Sequence, residues 1–319
     1  MILLTILFAT SITFFVIRAM PGDPVETMAM SMLQSGTDYN EAYEKAKAML
    51  NYDPDKLLSE QYVDYITSLV KLDLGDSMVN KRPVTEVIAS ALPWTLFVLT
   101  LSIGIAFTLG IFIGMYIAWK RNTFIDPLVS VYASVSGSLP DYIVGLLLVI
   151  LLSTNLKIFP ARGAYSAVTT PGFNIDFMIS ALYHACLPVL TYVVTGLGTW
   201  ALAMKGSAVS VLGEDYIMSA RARGLSEKRI RTKYVGRNAI LPLVTSLTIS
   251  FGMLFGGSPL VENLFAYPGV GFYLNQAIAS RDYTLMQGLF LMITMAVVSA
   301  NLLADLLYSM LDPRIRTRL

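Results

Sequence analysis

Residues that ordinarily carry chemistry are few in this chain. His184 and Cys186 are its one histidine and one cysteine, so neither a Cys/His metal cluster nor an internal disulfide can be built. On a helix, side chains two residues apart face different directions, and the pair reads as a helix-end histidine beside a buried thiol. Acids inside apolar stretches can serve as ion or proton sites. Two candidates exist, Asp141 next to Pro140 and Asp305 toward the end of the last apolar run. Neither has an evident partner at mid-depth, which weighs against an ion-coupled carrier. Nucleotide binding through a phosphate loop would need Gly-x-x-x-x-Gly-Lys-Ser/Thr, which the chain lacks. No residue is therefore assigned a catalytic or metal-binding role.

What remains is a binding element. "EDYIMSARARGLSEKRIRTKYVGRNAILP", from Glu214 to Pro242, holds seven bases between Arg221 and Arg237. Burying them in hydrocarbon at about 3 kcal/mol each would cost on the order of 20 kcal/mol, so the stretch lies outside the bilayer. Tyr216, Ala220 and Gly224 recur at helical spacing, giving an aromatic edge followed by a small face suited to a partner. Gly224 suits the left-handed residue that ends a helix. Ser226 can N-cap the next helix, with Leu225 and Ile230 as a hydrophobic staple. Pro242 then falls near the start of an apolar run, where a helix tolerates it. A helix-turn-helix on a basic loop also invites a DNA reading. A loop tethered between spans cannot enter a major groove as a free reader does, so no nucleic-acid partner is expected.

The elements that position this loop are apolar. The chain has 319 residues, 55% of them hydrophobic and 14% charged, with a mean hydropathy of +0.61. This composition is that of a membrane protein. Runs near residues 2–18, 94–119, 128–152, 187–204, 240–258 and 284–310 are each expected to cross the bilayer, which takes roughly 20 apolar residues. The first lacks a basic leader and a small-x-small cleavage site and is read as a retained helix, not a secretory signal. Gly110 with Gly114, and Gly252 with Gly256, have the spacing of close helix contact, either within the chain or at a seam with a second chain. Pro140 and Pro188 are expected near helix starts.

Charge sets the orientation. Residues 20–92 carry 12 acids and 6 bases, net −6, and read as an outside segment, with "NEAYEKAKAML" as one helix of a cap or of a solvated lid. Lys120, Arg121, Lys205, the bases of Arg221–Arg237, and Arg314, Arg316 and Arg318 lie on the other side. By the positive-inside rule that side, with both termini, is cytoplasmic.

The loop also resembles the cytoplasmic signature of ABC importer permeases, in the form of the oligopeptide, dipeptide and nickel branch. Ala220, Gly224, Leu241 and Pro242 match the general pattern, while Met218 and Ser219 stand where it has Glu and Ala. No role that needs a glutamate at 218 carries over. "RAMPGDPV", "DLGDSMVNKRPVTEVIASALPWTL", "HACLPVLTYVV", "VENLFAYPGVGFYLNQAIASRDY" and "NLLADLLYSMLDPRIR" resemble the B-type subunit in the same order.

The resemblance implies an all-α membrane protein of type I importer fold with six transmembrane helices. It implies helix 1 over 1–19, an extracytoplasmic segment over 20–92, and a permease core over 93–319 with a coupling loop at 205–239. Glu214, Asp215, Tyr216, Ala220, Arg221, Ala222, Arg223, Gly224 and Leu225 would form the ATPase-coupling surface. Implied partners are a second homologous permease, two ABC ATPases that bind ATP and Mg in place of this chain, an extracytoplasmic solute-binding protein and membrane lipid. Peptides, oligosaccharides and nickel all remain open as cargo.

Overall fold

The computed structural model describes residues 2–20, 22–33, 38–50, 56–120 and 124–311, with side chains described only as far as Leu302 at the C-terminal end. Arg121, the arginines at 314, 316 and 318, the Asp305 side chain and Gly252 as a packing residue lie outside that description. The helices are α1 (Ile2–Arg18), α2 (Pro24–Leu33), α3 (Tyr39–Leu50), α4 (Leu58–Val70), α5 (Val84–Trp119), α6 (Ile125–Ser138), α7 (Asp141–Asn155), α8 (Ile175–Leu212), α9 (Asp215–Ala222), α10 (Glu227–Ala239), α11 (Leu241–Gly256), α12 (Pro259–Leu264), α13 (Val270–Ser280) and α14 (Tyr283–Leu311).

Among the described residues, three helices are long and apolar enough to cross a membrane: α5, α8 and α14 over Tyr283–Leu302. Counting the bent pairs α6 with α7 and α10 with α11 as single spans brings the number to five, and Leu3–Arg18 is a shorter apolar helix. The third expected run is thus not one straight span, because α6 and α7 meet at 103°. Proline disfavours helical backbone in the residue before it, and Leu139 before Pro140 is extended at φ −92°, ψ 130°. The fourth run is longer than its apolar window: α8 has 38 residues and holds Pro188 in its interior, not near its start. Its opening turns contain Asp176 and His184, which an apolar window passes over. Asn174 caps it by accepting from Phe177 N at 2.8 Å.

The chain divides into two compact units. One comprises Met1–Thr95, Phe255–Asn263 and Pro268–Ser299. Its core gathers Ile17, Val84, Val87, Ala91, Val270, Leu274, Leu285 and Leu289. The described residues of the acidic segment include the helices α2, α3 and α4, and "NEAYEKAKAML" lies within α3, whose Ala42 and Ala46 pack on Val25 and Ala29 of α2. Aromatic rings fix α4 to α1: Phe14 stacks on Tyr65 with centroids 5.3 Å apart, and Ser11 Oγ lies 2.7 Å from the Tyr62 hydroxyl.

The other unit comprises Leu96–Leu254, Leu264–Tyr267 and Ala300–Leu319. The seam between α5 and α8 exists because two side chains are missing. A Cβ on Gly110 would fall 2.5 Å from Trp200 Cβ, and one on Gly114 would fall 2.3 Å from the Ala201 carbonyl oxygen. This glycine pair therefore serves packing within the chain. Similarly, Gly198 of α8 receives Ala133 of α6. Asp126 of α6 pairs with Lys205 of α8 at 2.5 Å, and Tyr132 donates to the Val194 carbonyl.

The seam makes a sharp contrast between glycines on one helix. Gly114→Ala should destabilise the protein by about 1–3 kcal/mol through overpacking. Gly104→Ala meets nothing within 4 Å and should be neutral or gain up to about 1 kcal/mol from helix propensity. Thermal unfolding in detergent separates the two; equal melting temperatures would refute the seam.

Candidate functional site

The candidate coupling surface begins where α8 ends at Gly213. Glu214 takes the N-cap position of α9 with extended backbone but without a side-chain cap bond. Asp215 places a negative charge in the first turn, where the helix dipole favours it. After eight residues the helix stops at Arg223, and Gly224 is left-handed at φ +71°. Gly224 N donates to Arg221 O at 2.9 Å and Leu225 N to Ala220 O at 3.2 Å, the paired bonds of a Schellman turn. Ser226 then occupies the N-cap position of α10. Its carbonyl, not its hydroxyl, accepts from Ile230 N, so the expected side-chain cap is absent.

Behind α9 lies an apolar cluster. Ile217 and Ala220 are buried with Ile230, Val235 and Ala239 of α10 and Met204 and Ala208 of α8, and Leu225 packs against them. The staple residues Leu225 and Ile230 thus share one core, as expected. Polar contacts brace the edges. Arg221 Nε pairs with Glu227 at 3.3 Å, and its guanidinium lies 6.0 Å from the Trp119 ring centroid. Asn238 Nδ2 donates to the Tyr216 hydroxyl at 3.3 Å and to Tyr234 O at 2.7 Å. Ser207 Oγ donates to Ala239 O at 2.7 Å.

This corrects the expected aromatic-to-small stripe. Ala220 is 3% exposed and seats the helix on its own chain, so it offers no outward face. The exposed surface is Glu214, Asp215, Tyr216, Met218, Ser219, Arg221, Ala222 and Arg223, with Gly224 at its end. A Cβ at Gly224 would meet nothing within 4 Å, so glycine is required there for its backbone angle and not for space.

Two acids that sequence reasoning left without roles organise the other unit. Glu262 of α12 is 5% exposed. It accepts from Thr95 Oγ1 at 2.9 Å and Phe272 N at 3.0 Å, while Thr95 Oγ1 itself accepts from Val270 N at 2.8 Å. Gly257 and Gly269 leave room for it: Cβ atoms there would stand 2.9 and 2.4 Å from its carboxylate oxygens. Burial pushes the Glu262 carboxyl above its ordinary pKa, and the hydrogen bonds from Phe272 and Thr95 oppose that shift. Asp282, fully buried, accepts from Ser77 Oγ at 2.7 Å and from Leu285 N at 3.0 Å, capping α14 and tying the acidic segment to it. The signal was available in "VENLFAYPGVGFYLNQAIASRDY": acids in an apolar setting, one six residues before Pro-Gly-x-Gly.

His184 Nδ1 lies 2.8 Å from Ser180 O, and Cys186 Sγ donates to Leu182 O. Each is engaged with its own helix. Among the described residues no group of three His, Cys, Asp or Glu side chains is placed to hold a metal.

Residues 110–317 match the family described as binding-protein-dependent transport system inner membrane component. The chain belongs to this family. As such an inner-membrane component it is a multi-pass transport subunit, and a family of permeases is not one of enzymes. It is 32% identical over 320 residues to the di/tripeptide transport system permease protein DppB of Pseudomonas aeruginosa (strain UCBPP-PA14), covering 96% of this chain and 94% of that protein. It is 32% identical to the dipeptide transport system permease protein DppB of Escherichia coli (strain K12), covering 98% and 95%. Its identity to the oligopeptide transport system permease protein AppB of Bacillus subtilis (strain 168) is 33%, covering 96% and 93%.

The geometry of this inner-membrane component's loop predicts a graded series at Gly224. Valine should cost about 1–2 kcal/mol through the left-handed backbone alone, whereas asparagine, which tolerates that conformation, should cost less. Chemical unfolding in detergent measures the order; a valine variant as stable as asparagine would rule out the turn.

Proposed function

We propose that this chain is one of two permease subunits of an ATP-driven importer of di- or oligopeptides. The observation that carries the proposal is similarity over nearly the whole chain to permeases named for di/tripeptide, dipeptide and oligopeptide transport. In this reading α1, α5, α6 with α7, α8, α10 with α11, and α14 are six spans, and both termini are cytoplasmic. Residues 20–92 are extracytoplasmic and form a largely helical cap that helps receive the solute-binding protein; its net charge of −6 supports the outside placement. A second homologous permease completes the path, and two ATPases bind ATP and Mg.

The coupling surface is α9. Its burial pattern supports this: the helix is braced from behind by its own chain while Tyr216, Met218, Ser219, Ala222 and Arg223 remain exposed for a partner. Preorganised helices lose little freedom on docking. ATP binding and hydrolysis in the partners then rock α9, and the path between the permeases switches from inward-facing to outward-facing and back.

Three measurements test this. In a strain whose only copy is this transporter, labelled dipeptide should accumulate, and deletion of the chain should abolish it. Uptake of oligosaccharide or nickel instead would reassign the cargo. In a Cys186→Ser background, cysteines at Ser59 and Ser226 should react with an impermeant maleimide from opposite sides of the membrane. Ser219→Trp should weaken copurification of the ATPases by about tenfold, a loss of about 1.4 kcal/mol, and remove peptide-stimulated hydrolysis. Arg229→Ala, one of several redundant charges, should do neither. Normal coupling in Ser219→Trp would remove α9 from the interface.

A further inference from the structure

A groove of about 430 Å³ runs between α5, α8 and α10 in the unit that carries the coupling loop. Ile111, Phe112 and Met115 of α5 give it an apolar wall, and Tyr116, Arg231 and Thr232 give it a polar one. Phe112 is 70% exposed, so the apolar wall is open. The end of α5 marks the depth: Trp119 closes the helix, and Lys120 Nζ sits 5.3 Å from the Tyr116 ring centroid. Aromatic and basic residues together mark the level of lipid headgroups. From there to Phe112 is eight residues, about 12 Å of helix directed into the hydrocarbon.

α10 is shaped to put Arg231 at that end. Residues Ile230–Gly236 form a π-helical turn, a widened geometry frequent at functional sites. A Cβ on Gly236 would stand 3.1 Å from Arg231 O and 3.5 Å from Met115 Cε. Glycine therefore permits the turn and leaves the groove floor open.

We infer that this groove binds an acidic phospholipid of the cytoplasmic leaflet, with its phosphate on Arg231 and one acyl chain along Ile111, Phe112 and Met115. The charge is complementary, and a guanidinium fork suits a phosphate better than an ammonium does. The apolar length below it excludes a free phosphate as the fitting occupant. The inference rests on the cytoplasmic placement of the loop.

The test uses the complete transporter in nanodiscs of phosphatidylcholine with phosphatidylglycerol, followed by native mass spectrometry of retained lipid. The wild type should retain phosphatidylglycerol in preference to phosphatidylcholine. Arg231→Gln should reduce that retention by about fivefold, the effect of one basic residue at an anionic surface. Arg229→Gln removes the same charge outside the groove and should leave retention unchanged. Equal losses in both variants, no headgroup preference, or no retained lipid would overturn the proposal. So would displacement of the lipid by inorganic phosphate alone, or crosslinking of a cysteine at Phe112 to the second permease. Outward labelling at Ser226 would sink the topology while the lipid counts are read independently, so the two failures are distinguishable.

Discussion

Helices in a bilayer gain little from hydrophobic association, because lipid tails are as apolar as leucine, so close packing and hydrogen bonds must hold them. In this protein the constraint falls on α5 and α8, where the absent side chains of Gly110 and Gly114 let backbone meet backbone. The same helix α8 receives α6 through Gly198 and Ala133 and an ion pair through Lys205 and Asp126. At its far end it supplies Met204 and Ala208 to the cluster on which α9 and α10 rest. The loop over 214–242 is therefore an extension of a packed helix pair, fixed to it by shared core.

The other unit relies on polar contacts to hold several segments. Glu262 and Asp282 each accept from groups distant in sequence, Thr95 in one case and Ser77 in the other. A buried carboxylate is costly unless its acceptor capacity is used. Here hydroxyl and amide donors use it, so each acid defines where its neighbours must sit.

Legibility in the sequence followed the range of the interaction. The Gly224 turn could be read from local chemistry, because only a few residues tolerate a left-handed backbone and the flanking Leu225 and Ile230 have staple spacing. The α3 helix and the entry of Pro242 into α11 were legible for the same reason. Which face of α9 turns inward was not, because helical spacing groups Tyr216 with Ala220 without saying what lies behind them. The apolar window placed α8 too late, since membrane helices continue past the hydrocarbon with polar turns. Pro140 was expected near a helix start, where α7 does begin, but the run over 128–152 was read as one span, and the 103° bend depends on how α6 and α7 each pack on α8. The roles of Glu262 and Asp282 needed contacts across 167 and 205 residues of sequence, which no local pattern encodes.

The bracing of α9 has a mechanical meaning. A helix joined by slack loops would absorb a push by bending its connections, and the displacement would dissipate within a few residues. Here one end is closed by the Schellman turn, the underside is keyed into α10, and the other end follows α8 after Gly213 and Glu214. A force borne by α9 would therefore be carried into α8, 38 residues or about 57 Å of helix that holds Pro188 in its interior.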